Sequence, residues 1–121
     1  MKKKVLIADD TDTGRELVRT VLEGSGLEVV EARDGVEAVE LAHEHCPDLV
    51  ILDLHMPRLD GFGVIRQLRS EDAFAATPIM ALTASAMMGD KERAMEAGFS
   101  GYITKPIRLS ALRSEIQRLL R

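Results

Sequence analysis

Short apolar runs alternate along this chain with longer stretches in which apolar residues recur every three or four positions. Val5–Ala8, Leu49–Leu52, Ile79–Leu82 and Gly101–Thr104 are short runs, each closed by a polar residue. Runs of this length between turn residues predict strands covered on both faces, as in a parallel sheet. Leu27–Ala32 alternates instead, with Glu28 and Glu31 outward, and predicts an outer strand. Apolar residues at 17, 18, 21 and 22 predict a helix from Thr11 to Glu23, ended by Gly24 and Gly26. Asp34-Gly-Val-Glu37 has the form of a capping box, with Asp34 accepting from the third amide and Glu37 reaching back. The helix it opens is expected to reach about His45, with Val36, Val39, Leu41 and Ala42 inward, and Pro47 prevents continuation. Phe62–Arg69 has apolar positions 62, 64, 65 and 68, again a helix. Ser85–Ala97 is helix-compatible, weakened early by Gly89 and stopped by Gly98. Leu109–Leu120 closes the chain as an amphipathic helix, with Leu109, Leu112, Ile116, Leu119 and Leu120 expected inward.

Five strands alternating with five helices predict an α/β fold, a flavodoxin-like (βα)5 doubly wound parallel sheet. The expected strand order is 2-1-3-4-5, with its switch point between strands 1 and 3. Residues 1–121 form one expected domain, with no linker, repeat or low-complexity segment.

Composition narrows the function. Aromatics make up 3% with no Trp, so the core is aliphatic and stacking on nucleic-acid bases is disfavoured. A net charge of −4 argues against nucleic-acid or acidic-membrane binding. The single Cys46 excludes an intrachain disulfide framework and suits a reducing compartment. No apolar run approaches the ~20 residues that span a bilayer. The opening Met-Lys-Lys-Lys segment is followed by too few apolar residues for a signal peptide, so a cytoplasmic location is expected.

The chemistry lies in the polar residues that close the strands. Strand 1 ends in Asp9 and Asp10, strand 3 in Asp53, strand 4 in Thr83 and strand 5 in Lys105. Parallel sheets gather their chemistry beyond these strand ends, at the switch point. Three acids that close repel unless a cation sits among them, and Mg²⁺ takes oxygen ligands of this kind while leaving room for phosphate. Lys105 and Thr83 offer a phosphoryl group one point charge and one hydroxyl donor. A carboxylate in such a site can attack phosphorus to form an aspartyl-phosphate.

These residues carry a resemblance over essentially the whole chain: Asp9-Asp10, Asp53 followed by Met56-Pro57 and Gly61, Thr83-Ala84, and Tyr102 with Lys105-Pro106. The chain resembles the receiver domain of two-component response regulators, in the CheY-like superfamily. The run Thr83 to Asp90, with Gly101-Tyr102 and Lys105-Pro-Ile107, looks most like DivK-type single-domain regulators and the receivers of hybrid histidine kinases. The resemblance implies that Asp53 is the phosphoacceptor and that Asp9, Asp10, Asp53 and the backbone carbonyl of His55 hold Mg²⁺. It implies that Thr83 and Lys105 bind the phosphoryl group, that Thr83 and Tyr102 form the switch, and that the Lys105–Pro106 peptide is cis. His55 and Ser85 would set phosphoryl lifetime. Gly14, Leu17, Val21 and Pro106 would meet the phosphodonor, either as an exposed apolar stripe or, for Leu17 and Val21, as part of a wide buried face.

The implied partners are a histidine kinase or histidine phosphotransfer protein and a downstream protein target, with no DNA and no membrane. The output face would be helix 4, strand 5 and helix 5. Because the chain ends at Arg121 without an output domain, output is expected through protein binding in trans, by a monomer or a phosphorylation-dependent dimer. The expected role is a signalling module, not an enzyme, though one that assists its own phosphotransfer and autodephosphorylation.

Two other readings use the same strand-end acids. A haloacid-dehalogenase-like phosphohydrolase wants a second Asp two residues after the nucleophile, where this chain has His55, and a cap domain. A flavin site needs a phosphate cradle after strand 1, where Asp9-Asp10 would repel phosphate. Residues elsewhere read more plainly. His43, His45 and Cys46 lack the spacing and partner pair of a zinc site, and are expected as a solvated helix end and a buried thiol. Asp12 is helix-start charge. Met87 and Met88 suit either the core or an adaptable binding surface.

Overall fold

Each apolar run becomes a strand: β1 (Lys4–Ala8), β2 (Glu28–Ala32), β3 (Leu49–Asp53), β4 (Ile79–Thr83) and β5 (Gly101–Thr104). The computed structural model describes residues 2–84 and 89–120, so the expectations for Ser85, Met87 and Met88 lie outside the described residues. Among the described residues the sheet is five-stranded, parallel throughout, in the order β2-β1-β3-β4-β5. The helices are α1 (Asp12–Gly24), α2 (Gly35–His45), α3 (Gly61–Arg69), α4 (Asp90–Ala97) and α5 (Leu109–Leu119), with a short 3-10 turn over Asp72–Phe74.

The continuous apolar runs follow from this double cover. Successive strand side chains point to opposite faces. Leu6, Ala8, Val50, Leu52, Ile79 and Ala81 meet the residues of α2 and α3, while Val5, Ile7, Leu49, Ile51, Met80 and Leu82 meet those of α1 and α5. All twelve are fully buried, and each large one contributes about 1.5–3 kcal/mol of transfer free energy. β2 lies at the edge, which explains its alternation. Glu31 there is paired with Arg19 at 2.9 Å and Arg15 at 3.5 Å.

The capping box forms with a shift. Asp34 accepts from the Glu37 amide at 2.8 Å, but the Glu37 carboxylate reaches one residue further back, to the Arg33 amide at 3.0 Å. Asp60 caps α3 in the same way, accepting from the Gly63 amide at 2.8 Å.

Four expectations need correction. Leu109 is 41% exposed: it is the first residue of α5, and the helix buries its face only from Leu112 and Ile116 onward. Val36 is only half-buried; Ala38 takes its place beside Val39 and Ala42 on the inner face of α2. Cys46 is exposed, not buried, since it lies beyond the last turn of α2 as its left-handed cap (φ 46°). Leu17 and Val21 part company: Val21 joins the core at 6% exposure, whereas Leu17 is 39% exposed.

Register places the site. Ala8 is level with Leu52, Asp53 with Leu82, and Thr83 with Thr104. The ladder then runs one residue past the strands: the Asp9 amide donates to Ala32 O (3.2 Å), Leu54 to Leu82 O (2.9 Å) and Lys105 to Thr83 O (2.7 Å). Backbone hydrogen bonds thus fix the bases of Asp9, Asp53 and Lys105 at one edge.

Candidate functional site

Three acids meet at that edge. Asp9, Asp10 and Asp53 each present a carboxylate oxygen within 4.8 Å of the others. Asp9 is fully buried and Asp53 nearly so, while Asp10 is exposed. Pairwise repulsion at that separation is roughly 3–4 kcal/mol at an effective dielectric of ~20, so the cluster needs cations and donors.

The protein supplies some of them. The Lys105 ammonium lies 2.8 Å from Asp53 Oδ2 and 3.0 Å from Asp9 Oδ2. Burial alone would lower the Lys105 pKa, but hydrogen bonds and charge from Asp53 and Asp9 together outweigh it, and the pKa lies above the usual lysine value. Asp53 Oδ1 accepts from the His55 amide at 2.8 Å, so the exposed His55 contributes its backbone here. Asp9 Oδ1 accepts from both the amide and the hydroxyl of Thr11, each at 2.9 Å. One ammonium against three carboxylates leaves negative charge in excess. An all-oxygen donor set of that charge fits a hard divalent cation such as Mg²⁺.

Two glycines sit where a side chain could not. A Cβ on Gly61 would come within 2.7 Å of the Asp53 carbonyl, and one on Gly14 within 2.6 Å of Asp9 Oδ2. Gly14 therefore serves Asp9 directly, where the sequence suggested only a docking position. The left-handed Arg58 (φ 69°) hydrogen-bonds Asp34 at 3.1 Å and so ties the loop after β3 to the start of α2.

Thr83 is fully buried at the end of β4. Tyr102, half-buried on the neighbouring strand, packs against the α2–α3 side of the core. Burial, then the charges of Asp90 and Glu92, raise its phenol pKa above the ordinary value. The Lys105–Pro106 peptide is cis, as the resemblance implies, and Pro106 is exposed. Asp12 is paired with Arg15 in the first turn of α1, a helix-start charge. His43 lies 2.7 Å from Glu71 and beside the Phe74 ring, a surface contact; the acid trio is the one metal-competent cluster among the described residues.

Two residues of this site escaped the sequence reading. Thr11 read as the helix start, yet it donates to Asp9 and makes no side-chain cap. Arg15 shares the buried stripe of α1 with Val18 and Leu22, and a charged residue on an apolar stripe was the available signal.

Residues 5–117 match the response regulator receiver domain family. The polar-differentiation response regulator DivK of Brucella anthropi is 41% identical over 107 residues, 88% of this chain and 87% of that protein. The structure of the chemotaxis protein CheY4 of Vibrio cholerae superposes with a TM-score of 0.92 at 32% identity, covering 99% of this chain and 100% of that one. The receiver domain of a sensor histidine kinase from Pseudomonas aeruginosa, solved with a magnesium ion coordinated in its active-site cleft, gives 0.90 at 30% identity over 99% and 98%.

Proposed function

The chain belongs to the response regulator receiver domain family of two-component signalling, and on that premise we propose that Asp53 accepts a phosphoryl group from a phosphohistidine and thereby switches protein binding. The observation that carries this reading is the pairing at the sheet edge. Asp53 stands on rigid backbone, with an ammonium 2.8 Å away and the other acids within 4.8 Å.

An oxygen of the Asp53 carboxylate attacks phosphorus as the bond from phosphorus to the donor imidazole nitrogen breaks, and its electron pair returns to the ring. Charge then moves from the carboxylate onto the phosphoryl oxygens. Lys105 follows it, exchanging its contact with Asp53 Oδ2 for one with the phosphoryl group, and Thr83 offers its hydroxyl. The protein's part is positioning and charge neutralisation. Asp9, Asp10, Asp53 and the carbonyl of His55 would hold Mg²⁺, which when bound offsets the negative charge of acids and phosphoryl group. The His55 side chain is exposed two residues past Asp53, and in this reading it would obstruct or orient the hydrolytic water.

The donor is a histidine kinase or histidine phosphotransfer protein, which meets Leu17, exposed on α1, and Pro106. Output runs through α4, β5 and α5. As Thr83 moves toward the phosphoryl oxygens it vacates volume that Tyr102 fills, a population shift driven by contacts made only in the active state. The target is a protein, not DNA. No described helix is long and apolar enough to cross a membrane.

The test is incubation with acetyl phosphate and Mg²⁺, read by intact mass. One added phosphoryl group that disappears on chelation supports the reading; no addition at saturating Mg²⁺ refutes it.

A further inference from the structure

Arg15 is a buried cation 8% exposed, one turn into α1, and among the described residues makes no hydrogen bond or ion pair with the three acid side chains of the site. Its Nη1 donates to the backbone carbonyl of Asp9 at 2.7 Å. Its Nη2 is hydrogen-bonded to Asp12, and its Nε lies 3.5 Å from Glu31 on β2. Glu31 is in turn held by Arg19 at 2.9 Å. The Asp9 carbonyl is the first acceptor beyond the β1 ladder. On the other side of the same residue, the Asp9 amide is bound to Ala32 O at 3.2 Å.

These contacts fix the peptide between Asp9 and Asp10, and the direction of that peptide sets where the Asp10 carboxylate starts. Without the guanidinium a buried carbonyl loses its donor, and such groups reorient toward water or another cation. Asp10 is the exposed, less restrained acid of the trio, so it depends most on its backbone.

We propose that Arg15 is a positioning residue for the cation site: by clamping the Asp9 carbonyl it aims Asp10, and through Glu31 it anchors that aim to the edge strand. This rests on the assignment of the acid trio as the Mg²⁺ site. Groups that orient metal ligands without touching the metal typically change affinity 10–100-fold. Lysine at this position supplies one donor to the carbonyl but cannot hold Asp12 and Glu31 together, so it restores part of the effect.

The experiment is an MgCl₂ titration of the unphosphorylated protein followed by ¹⁵N–¹H spectra, which also report whether each variant is folded. Arg15→Met should bind Mg²⁺ about 10–100-fold more weakly, with the β1 amides unmoved and Arg15→Lys between it and wild type. Acetyl phosphate labelling should need more Mg²⁺ yet reach the wild-type plateau. Folded Arg15→Met with a Kd within about twofold of wild type, or labelling depressed equally at every Mg²⁺ concentration, overturns the proposal. If Arg15→Met does not fold, Glu31→Gln takes its place, removing the anchor while leaving the guanidinium. A severalfold weaker Kd supports the clamp, and an unchanged one overturns it. Failure of the site assignment has its own signature, since wild type would then fail to bind Mg²⁺ or bind it equally after Asp9→Asn.

Discussion

Lys105 and Asp53, 52 residues apart in sequence, meet at 2.8 Å through the ammonium and Oδ2, while the other oxygen of Asp53 is held by the His55 amide. Each oxygen of the carboxylate therefore has its own donor, one on a mobile stem and one in fixed backbone. The ammonium can move with the charge as it passes to phosphorus; the amide cannot.

That pairing sets a pH dependence. The pKa of Lys105 is raised in the folded state, so its contribution is complete below the unfolded lysine value of ~10.4 and fades as pH rises through the folded value. Metal-free wild type should melt above Lys105→Met by a margin constant from neutral pH to about 10 and narrowing beyond it. At neutral pH the same variant should accept phosphoryl roughly 10²–10³-fold more slowly, the usual cost of one missing donor. A margin that widens in alkali would contradict the sign.

Removing a charge from the trio should stabilise the empty site. Asp10→Asn should melt higher than wild type without Mg²⁺, because one repulsive partner is gone and the exposed side chain has no hydrogen bond or ion pair to lose among the described residues. Wild type should gain about 2.7 kcal/mol at a hundredfold excess of Mg²⁺ over its Kd, and Asp10→Asn distinctly less at the same concentration. Calorimetric scans with and without Mg²⁺ decide this; a lower melting point for metal-free Asp10→Asn would go against it.

Gly61 is a packing constraint on the phosphoacceptor itself. In Gly61→Ala the added methyl meets the Asp53 carbonyl at 2.7 Å and Leu54 Cα at 2.9 Å. Either β3 or the start of α3 must give way, at about 1–3 kcal/mol. Denaturant unfolding should show that loss, with slower labelling by acetyl phosphate. Wild-type values for both would mean that the loop yields freely.

The switch should be visible on β5. Adding beryllofluoride, a phosphoryl mimic, should shift the amides of Ala84, Gly89 and Gly101–Lys105, and Tyr102→Ala should reduce the shifts at the far end of the strand. Shifts confined to the loops around Asp10 and Asp53 would refute the coupling between Thr83 and Tyr102.

The sheet order and the polar strand ends were legible in the sequence because buried parallel strands leave continuous apolar runs, each ending at its first tolerated polar residue. Val5–Ala8 and Leu49–Leu52 are such runs, and Asp9 and Asp53 follow them. Helix faces were less legible. Leu109 lies on the same stripe as Leu112, yet it opens the helix and is exposed while Leu112 is buried; Leu17 and Val21 differ by one turn of α1, and packing against the rest of the fold decides between them. Thr11 was missed because its contacts run to the carboxylate of Asp9, which no periodicity encodes; the apolar stripe of α1 marked Arg15 as buried but not its partner, the Asp9 carbonyl. The convergence on Lys105 was readable only through topology, since nothing local in Thr104-Lys105-Pro106 marks its ammonium as half-buried.

The central claim is that the carboxylate of Asp53 becomes the acyl phosphate. Borohydride reduces an acyl phosphate to an alcohol and leaves free carboxylates alone, so reduction after labelling with acetyl phosphate and Mg²⁺ converts the acceptor to homoserine. Peptide mass spectrometry should find homoserine at position 53 alone, and none in Asp53→Ala or in chelated samples. Homoserine at position 9 or 10, or phosphoryl incorporation that survives Asp53→Ala, would contradict the account.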